Sequence, residues 1–403
     1  MHLPLSLSLS LSLSLSLSLI QMRSRQTVSK KTILGPQTNI SFDCTRSLLS
    51  HGTLMIKHHC VTTLKTLHSP VSCLAVNNNN LLYAASACIV IVFDLSNHTH
   101  IDTFNDYPSS GSVKSIAFND TKIFTAHQDS KIRVWRIAQP RRHHLLYTLP
   151  TFKERLYRSL VPKNYVHVRR HKKRLWIEHC DAVSGLVVNE DLMYSASWDK
   201  SFKIWNISEN RCLESVKAHE DAVNAIAVSG NGTVYTASAD GCIRVWERDD
   251  TLRKHALVRT LEKHRSSVNA LVVNGDGRVL FSGGSDLSIF VWEKKNNNNA
   301  DSVVFVEALW GHTSAILCLI NVEDLLASGS SDRTVRIWQR GEDSGYRCMV
   351  VMEGHEKPVK SLAAVVRPAG ASNGVVSVCS GSLDGEIKIW EISKSSDHLC
   401  NLR

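Results

Sequence analysis

Five times along this 403-residue chain a histidine is followed, 16 to 25 residues on, by Ser or Thr, then by Asp four residues later and Trp six after that. The sets are His179, Ser195, Asp199, Trp205; His219, Thr236, Asp240, Trp246; His264, Ser282, Asp286, Trp292; His312, Ser328, Asp332, Trp338; and His355, Ser380, Asp384, Trp390. Base, nucleophile and orienter are the parts of a hydrolase centre when histidine, hydroxyl and carboxylate lie within hydrogen-bond reach. Repetition argues against that chemistry. A catalytic centre occurs once, whereas five copies at matching spacing are the mark of a structural device. No catalytic residue, cofactor site or metal site is assigned.

The elements that carry these residues repeat with them. "TAHQDSKIRVW", "SASWDKSFKIW", "TASADGCIRVW", "SGGSDLSIFVW", "SGSSDRTVRIW" and "SGSLDGEIKIW" align without a gap, each ending in an apolar-x-Trp strand. Period-two alternation with Gly, Asn and Asp between the runs predicts short antiparallel strands. Apolar positions such as Ala225, Ala227, Ile243 and Val245 are expected to face neighbouring units. The first of the six has Thr125, Asp129 and Trp135 but no histidine, with Ser109 in its place. Before it comes a degenerate unit, "HSPVSCLAVNNNNLLYAASACIVIVF", with Tyr83 for serine, Ala87 for aspartate and Phe93 for tryptophan.

These units resemble the WD40-repeat family, whose blades carry Gly-His near the start and Trp-Asp or a variant at the end. The resemblance implies an all-β, seven-bladed propeller over residues 60–395, with blades starting near 68, 109, 179, 219, 264, 312 and 355. It also implies that each histidine bonds the turn aspartate and that Ser or Thr links the histidine to the indole N–H. The donor and acceptor inventory of the four side chains suits such a buried network, which is stable only when complete. The run "CVTTLKTLHSPV" matches "RCLESVKAHEDAV", so residues 60–67 are expected to supply the last blade's outer strand, removing an exposed edge.

In this family the narrower top face carries most contacts with partner proteins. Two positions map onto it: the residue before each aspartate and the residue five after each histidine. They give Gln128, Trp198, Ala239, Ser285, Ser331 and Leu383, and Ser184, Asn224, Asn269, Leu317 and Lys360, with Ser72 and Lys114 in the two departing blades. Trp198 stands out, because large aromatics dominate interface energetics. The set names no ligand.

The formal charge of +10 has one source: Arg141–Arg174 holds eleven Lys or Arg and one acid, Glu154, leaving 36 basic and 36 acidic residues elsewhere. The spacing from Asp129 to Asp199 is 70 residues against 41 to 52 for the other intervals, so a basic insertion is expected at about 137–171. Within it Thr151 and Glu154 form a capping-box pattern, Phe152, Leu156 and Leu160 recur every four residues, and Pro162 follows. This predicts a short amphipathic helix laying its stripe on the propeller or on a partner. The run Arg169, Arg170, Lys172, Lys173 and Arg174 reads as the entrance of the next outer strand, with Leu175–Glu178 as strand. It also permits nuclear import or phosphate contact, but sparse aromatics do not support sequence-specific nucleic-acid reading.

The run "TLPTFKERLYRSLVPKNYVHVRRHKKRLWIEHCDAV" beside seven such repeats resembles the plant JINGUBANG-type WD40 proteins. That implies a non-catalytic, monomeric scaffold in the cytoplasm or nucleus, contacting proteins such as transcriptional regulators. A competing class is a ubiquitin-ligase substrate receptor, for which Trp292, Glu293 and Lys295 match a family box loosely, lysine replacing the usual arginine. Residues 1–59 read as a low-complexity, disordered segment. Its alternating Leu and Ser lacks the basic start and continuous apolar core of a signal peptide; it is what a CT dinucleotide repeat encodes, and reads either as a translated microsatellite or as a misplaced start with Met22 as the native one. Residues 396–403 read as a tail. Eleven scattered cysteines without a CxxC pair fit a reducing compartment, and no apolar run long enough to cross a membrane is present.

Overall fold

The computed structural model describes residues 55–395, apart from breaks at 67–69, 78–79, 139–141, 170–171, 250, 252–253, 298–299 and 368–374. The Leu-Ser segment, Met22, the tail and Arg170 lie outside the described residues. What is described falls in one compact unit, Gly52–Arg403.

The alternating runs fold as seven four-stranded antiparallel sheets. In blade four, Val223–Val228 pairs with Val234–Ser238, then Ile243–Asp249, then Lys254–Leu261. The innermost strands begin at Val71, Val113, Val183, Val223, Val268, Ile316 and Val359. Each touches the next and the last touches the first, closing a β-propeller.

The core is divided in the same way. Seven apolar clusters each join two successive blades: Tyr194, Phe202 and Ile204 of blade three meet Val223, Ile226 and Trp246 of blade four. The ring closes where Ile387 and Ile389 of blade seven meet Val71, Leu74 and Phe93 of blade one. Each such side chain contributes roughly 1.5–3 kcal/mol when fully buried, and only a neighbouring blade can bury it.

The closing strand is Met55–Lys65, which pairs with Glu386–Ser395 from Met55↔Ser395 to Lys65↔Glu386. It therefore begins at Met55 rather than at residue 60. Its register shifts between Cys60 and Thr62, beside Trp390. The same shift accompanies Trp205, Trp246, Trp292, Trp338 and Trp135, and Phe93 in blade one. Met55–Lys65 thus reproduces the outer-strand geometry of the other blades.

The insertion differs from its expected bounds. Blade two completes its own outer strand with Arg142–Leu149, so the added chain begins near Pro150 rather than at 137. The added chain comprises a helix, Phe152–Ser159, a short 3-10 turn, Pro162–Asn164, and a two-stranded hairpin, Tyr165–Arg169 with Lys172–Leu175. Arg169, Lys172, Lys173 and Arg174 consequently belong to the hairpin rather than to the entrance of a blade strand. Trp176–Glu178 is a turn, not strand. Thr151 caps the helix by accepting from the Glu154 N–H at 3.2 Å. Glu154 leaves the capping box open and accepts instead from the Cys212 N–H at 3.0 Å.

Candidate interaction surface

In blades three to seven the four recurring residues come together. Each Trp Nε1–H donates to its Ser or Thr Oγ at 2.8–2.9 Å. The same oxygen lies 2.8–2.9 Å from the histidine Nε2. Histidine Nδ1 lies 2.7–3.1 Å from the aspartate. An ionised carboxylate only accepts, so Nδ1–H donates to it; in the neutral imidazole Nε2 then accepts from the hydroxyl, whose oxygen accepts from the indole. The other carboxylate oxygen accepts from the N–H two residues on, as Asp240 does from Cys242 at 2.9 Å. The residue between adopts positive φ: Lys200, Leu287 and Arg333, with glycine at 241 and 385.

Electrostatics agree with a neutral histidine beside an ionised carboxylate. Burial lowers the pKa of His179, His219, His264, His312 and His355, the adjacent carboxylate only partly opposing it. Burial pushes the aspartates the other way, but the N–H and O–H donors converging on them win. Asp199, Asp240, Asp286 and Asp384 titrate below the usual range, and Asp332 at about 2. Ser195, Thr236, Ser282, Ser328 and Ser380 are 0 % exposed, so no substrate reaches a hydroxyl. Burial likewise pushes the Cys73 thiol to about 11 and the Cys212 and Cys318 thiols to about 12, away from the reactive thiolate.

Blades one and two rebuild the network from other residues. In blade two Trp135 donates to Thr125 at 2.9 Å, and His127, from the same strand as Thr125, places Nε2 2.7 Å from that oxygen. Ser109 therefore does not stand in for the histidine. Asp129 instead takes two hydrogen bonds from Arg133. Burial, then the Arg133 charge, lowers His127 to about 3. In blade one the Tyr83 hydroxyl lies 3.1 Å from His143 Nε2, whose Nδ1 lies 2.7 Å from Asp102. Asp102 and His143 come from the outer strands of blades one and two, a link between blades that the repeat could not reveal. The Asp102 carboxylate also accepts from the His143 N–H, as Glu214 does from His255 and Glu307 from Tyr346 in later pairs.

The positions five after the histidine all fall on a bulge of the innermost strand, where the register slips by one. A bulge turns one side chain out of the sheet. Ser72, Ser184, Asn224 and Asn269 use it to donate to the next blade's carbonyl, at Val113, Val223, Val268 and Ile316, over 2.5–2.9 Å or 3.0 Å. Ser184, Asn224 and Asn269, expected at the partner surface, thus staple blades together. Leu317 and Lys360 occupy the same bulge in blades six and seven. Lys114 reaches across to the next blade too, but lands with Nζ 5.3 Å from the Trp198 ring centroid. Burial, with Lys360 adding repulsion, lowers its pKa.

Trp198 is 40 % exposed. It lines a cleft of about 860 Å³ together with Val166, His167 and Arg174 of the inserted hairpin, Trp176 of the turn after it, and Lys200 and Lys217 of blade three. Lys203 of blade three holds the turn that follows the hairpin, donating to the Trp176 carbonyl at 2.6 Å, and its second bond, to Ser215 at 2.5 Å, stays within the blade. Gln128 is exposed at the equivalent turn of blade two. Lys173 is exposed and Arg174 donates to the His179 carbonyl at 2.8 Å. Trp310, just before the Gly-His of blade six, is 64 % exposed and falls at neither of the two positions that the repeat maps to the partner face. Its signal was simple: it is a tryptophan outside every network set. Trp292 and Glu293 of the loose ligase box are engaged in the fold, the first to Ser282 and the second to Arg340 at 2.8 Å.

Among the described residues no helix is long and apolar enough to cross a membrane. The WD domain, G-beta repeat, matches residues 171–206, 210–247, 255–293, 304–339 and 346–391. Similar proteins include telomerase protein component 1 of Rattus norvegicus, 26 % identical over 55 % of this chain and 9 % of that protein. The DENN domain and WD repeat-containing protein SCD1 of Arabidopsis thaliana is 27 % identical over 44 % of this chain and 13 % of its own length. The ribosome biogenesis protein WDR12 homolog of Chlamydomonas reinhardtii is 27 % identical over 50 % and 51 % respectively. The chain thus spans less than two thirds of each relative. Five matched repeats, two further blades built on the same strand pattern and a closed ring make this chain a WD40-repeat protein.

Proposed function

We propose that the protein is a non-catalytic scaffold that holds partner proteins at the rim formed by Trp198, Lys114 and the hairpin cleft. The observation that carries this is a half-exposed tryptophan beside a large cleft, on a fold whose recurring polar groups are occupied with one another. Exposed aromatics at a rim supply interface area at low entropic cost. Lys114 stacked over the ring holds it in an open orientation. Gln128, Lys360 and Leu317 extend the same surface.

The likeness of the insertion to the JINGUBANG-type proteins supports a plant regulator of transcriptional or developmental signalling, acting in the cytoplasm or nucleus. Affinity purification with mass spectrometry, comparing wild type with Trp198→Ala, tests the reading. The scaffold at this rim predicts a defined partner set that the variant loses while melting as wild type does. An unaltered partner set would place binding elsewhere.

A further inference from the structure

The insertion helix sits on the propeller the wrong way round for a packed amphipathic helix. At about 100° per residue, Phe152, Lys153, Leu156, Tyr157 and Leu160 share one arc, and all five are exposed, Phe152 at 78 % and Leu160 at 73 %. The opposite arc faces the protein and is polar. There Glu154 accepts from the Cys212 N–H, Arg155 pairs with Glu178 at 2.7 Å, and Arg158 lies 5.2 Å from the Trp176 ring centroid. Asn164 buttresses the helix end, donating to the Arg158 carbonyl at 2.9 Å and accepting from Trp176 Nε1 at 3.2 Å. The usual drive to bury an apolar stripe is thus overridden by a polar clamp. Contiguous exposed apolar surface of this kind marks a docking site.

We propose that Phe152, Leu156, Tyr157 and Leu160 form a docking ridge for an acidic amphipathic helix of a partner protein. Charge selects the occupant. The segment Arg141–Arg174 carries eleven basic residues, and its one acid, Glu154, is turned inward to Cys212. A second copy would set the same basic surface against itself. Residues 1–54 of this chain hold five Lys or Arg and one acid, Asp43, so they do not complement it either. Shape favours a helix over a lipid surface: Phe152 rims a cleft of about 560 Å³ lined by Leu149 and Pro150 and by the charged Asp129, Arg155, Arg174 and Glu178. A side chain enters such a hollow, whereas a bilayer does not. This deepens the scaffold reading with a second surface that adjoins the Trp198 cleft, the two clefts sharing Arg174 and Glu178, but does not include Trp198.

The test is a selection of random helical peptides displayed on phage against the full-length protein. Phe152→Ser/Leu156→Ser/Leu160→Ser serves as the counter-target, and vesicles of phosphatidylserine and phosphatidylcholine run in parallel. The ridge predicts enriched peptides with apolar residues at i, i+3/4 and i+7 flanked by Asp and Glu. It predicts affinity at least about tenfold weaker for the triple serine variant, and weaker binding between about 0.05 and 0.5 M salt. Because the stripe is exposed, the variant should melt as wild type does, and Trp198→Ala should keep peptide binding while losing the rim's partners. Lys153→Glu/Lys163→Glu provides a second variant, expected to weaken the acidic peptides selectively. Peptides without acids, binding that ignores the stripe, vesicle binding in place of peptide binding, or a lowered melt in the triple variant would each overturn the proposal.

Discussion

The networks inside blades three to seven and the surface around Trp198 and the insertion helix dispose of polarity in opposite ways. Inside the blades, hydroxyl, imidazole, carboxylate and indole are buried and satisfy one another, with 2.7–3.1 Å between Nδ1 and the carboxylate throughout. Around the insertion, Glu154, Arg155 and Arg158 are engaged with the protein, while Phe152, Leu156, Leu160 and part of the Trp198 ring face outward. A closed polar network has nothing left to offer a ligand, so it builds. Apolar surface held outward has burial still to gain, which is what the proposed docking would use. The residues that look most like chemistry in the sequence are therefore architecture.

Acidification acts on the first region most broadly. The tetrad histidines and His127 have pKa values depressed by burial, so below the ordinary histidine value of 6.5 the unfolded chain takes up protons that the folded one refuses. Their contribution is fully present above that value and is lost as pH falls, each histidine adding a slope of up to about 1.4 kcal/mol per pH unit. The depressed aspartates repeat the loss below about 4, with Asp332 holding until about 2. Denaturant midpoints should fall steadily from pH 7 to pH 5; a flat profile would mean that the histidines are not held neutral.

Asp240→Ala comes next. It removes the acceptor of His219 Nδ1–H and of two backbone N–H groups, Cys242 and Glu220. Breaking a buried polar pair from one side costs about 3–5 kcal/mol, readable by urea unfolding, and an unchanged midpoint would reassign the network. Thr125→Val is smaller, because blade two lacks the histidine–aspartate arm. It strands the Trp135 N–H and removes the partner of His127 Nε2, for about 1–3 kcal/mol. A loss as large as that from Asp240→Ala would show that the rebuilt network matters as much as the complete one.

What was legible in the chain follows from the same contrast. The blades could be read because Ser or Thr, Asp and Trp recur at fixed offsets, and periodicity survives without knowledge of contacts. The closing strand could be read because it copies another blade's outer strand. Blade one's polar link could not, since Tyr83, Asp102 and His143 come from three strands of two blades and occur once. The insertion's start was misplaced because "RHHLLYTL", the outer strand of blade two, carries no Trp, Asp or His-x-x-x-Val mark, and its basic residues blend with those of the added segment. The helix itself was written in Thr151, Glu154 and the four-residue stripe. Its orientation depends on Cys212 and Glu178, which no local pattern names.

One pair of substitutions sets the two regions against each other with the chemistry held constant: calorimetric melts of Trp246→Ala and Trp198→Ala. Trp246 is buried and donates to Thr236 at 2.9 Å, whereas Trp198 is half-exposed under Lys114. The predicted result is a loss of about 3–5 kcal/mol for Trp246→Ala, the range for deleting a core aromatic. For Trp198→Ala the change should stay within about 0.5 kcal/mol. Equal losses at the two sites would contradict the division between a tryptophan that builds the propeller and one proposed to meet partners.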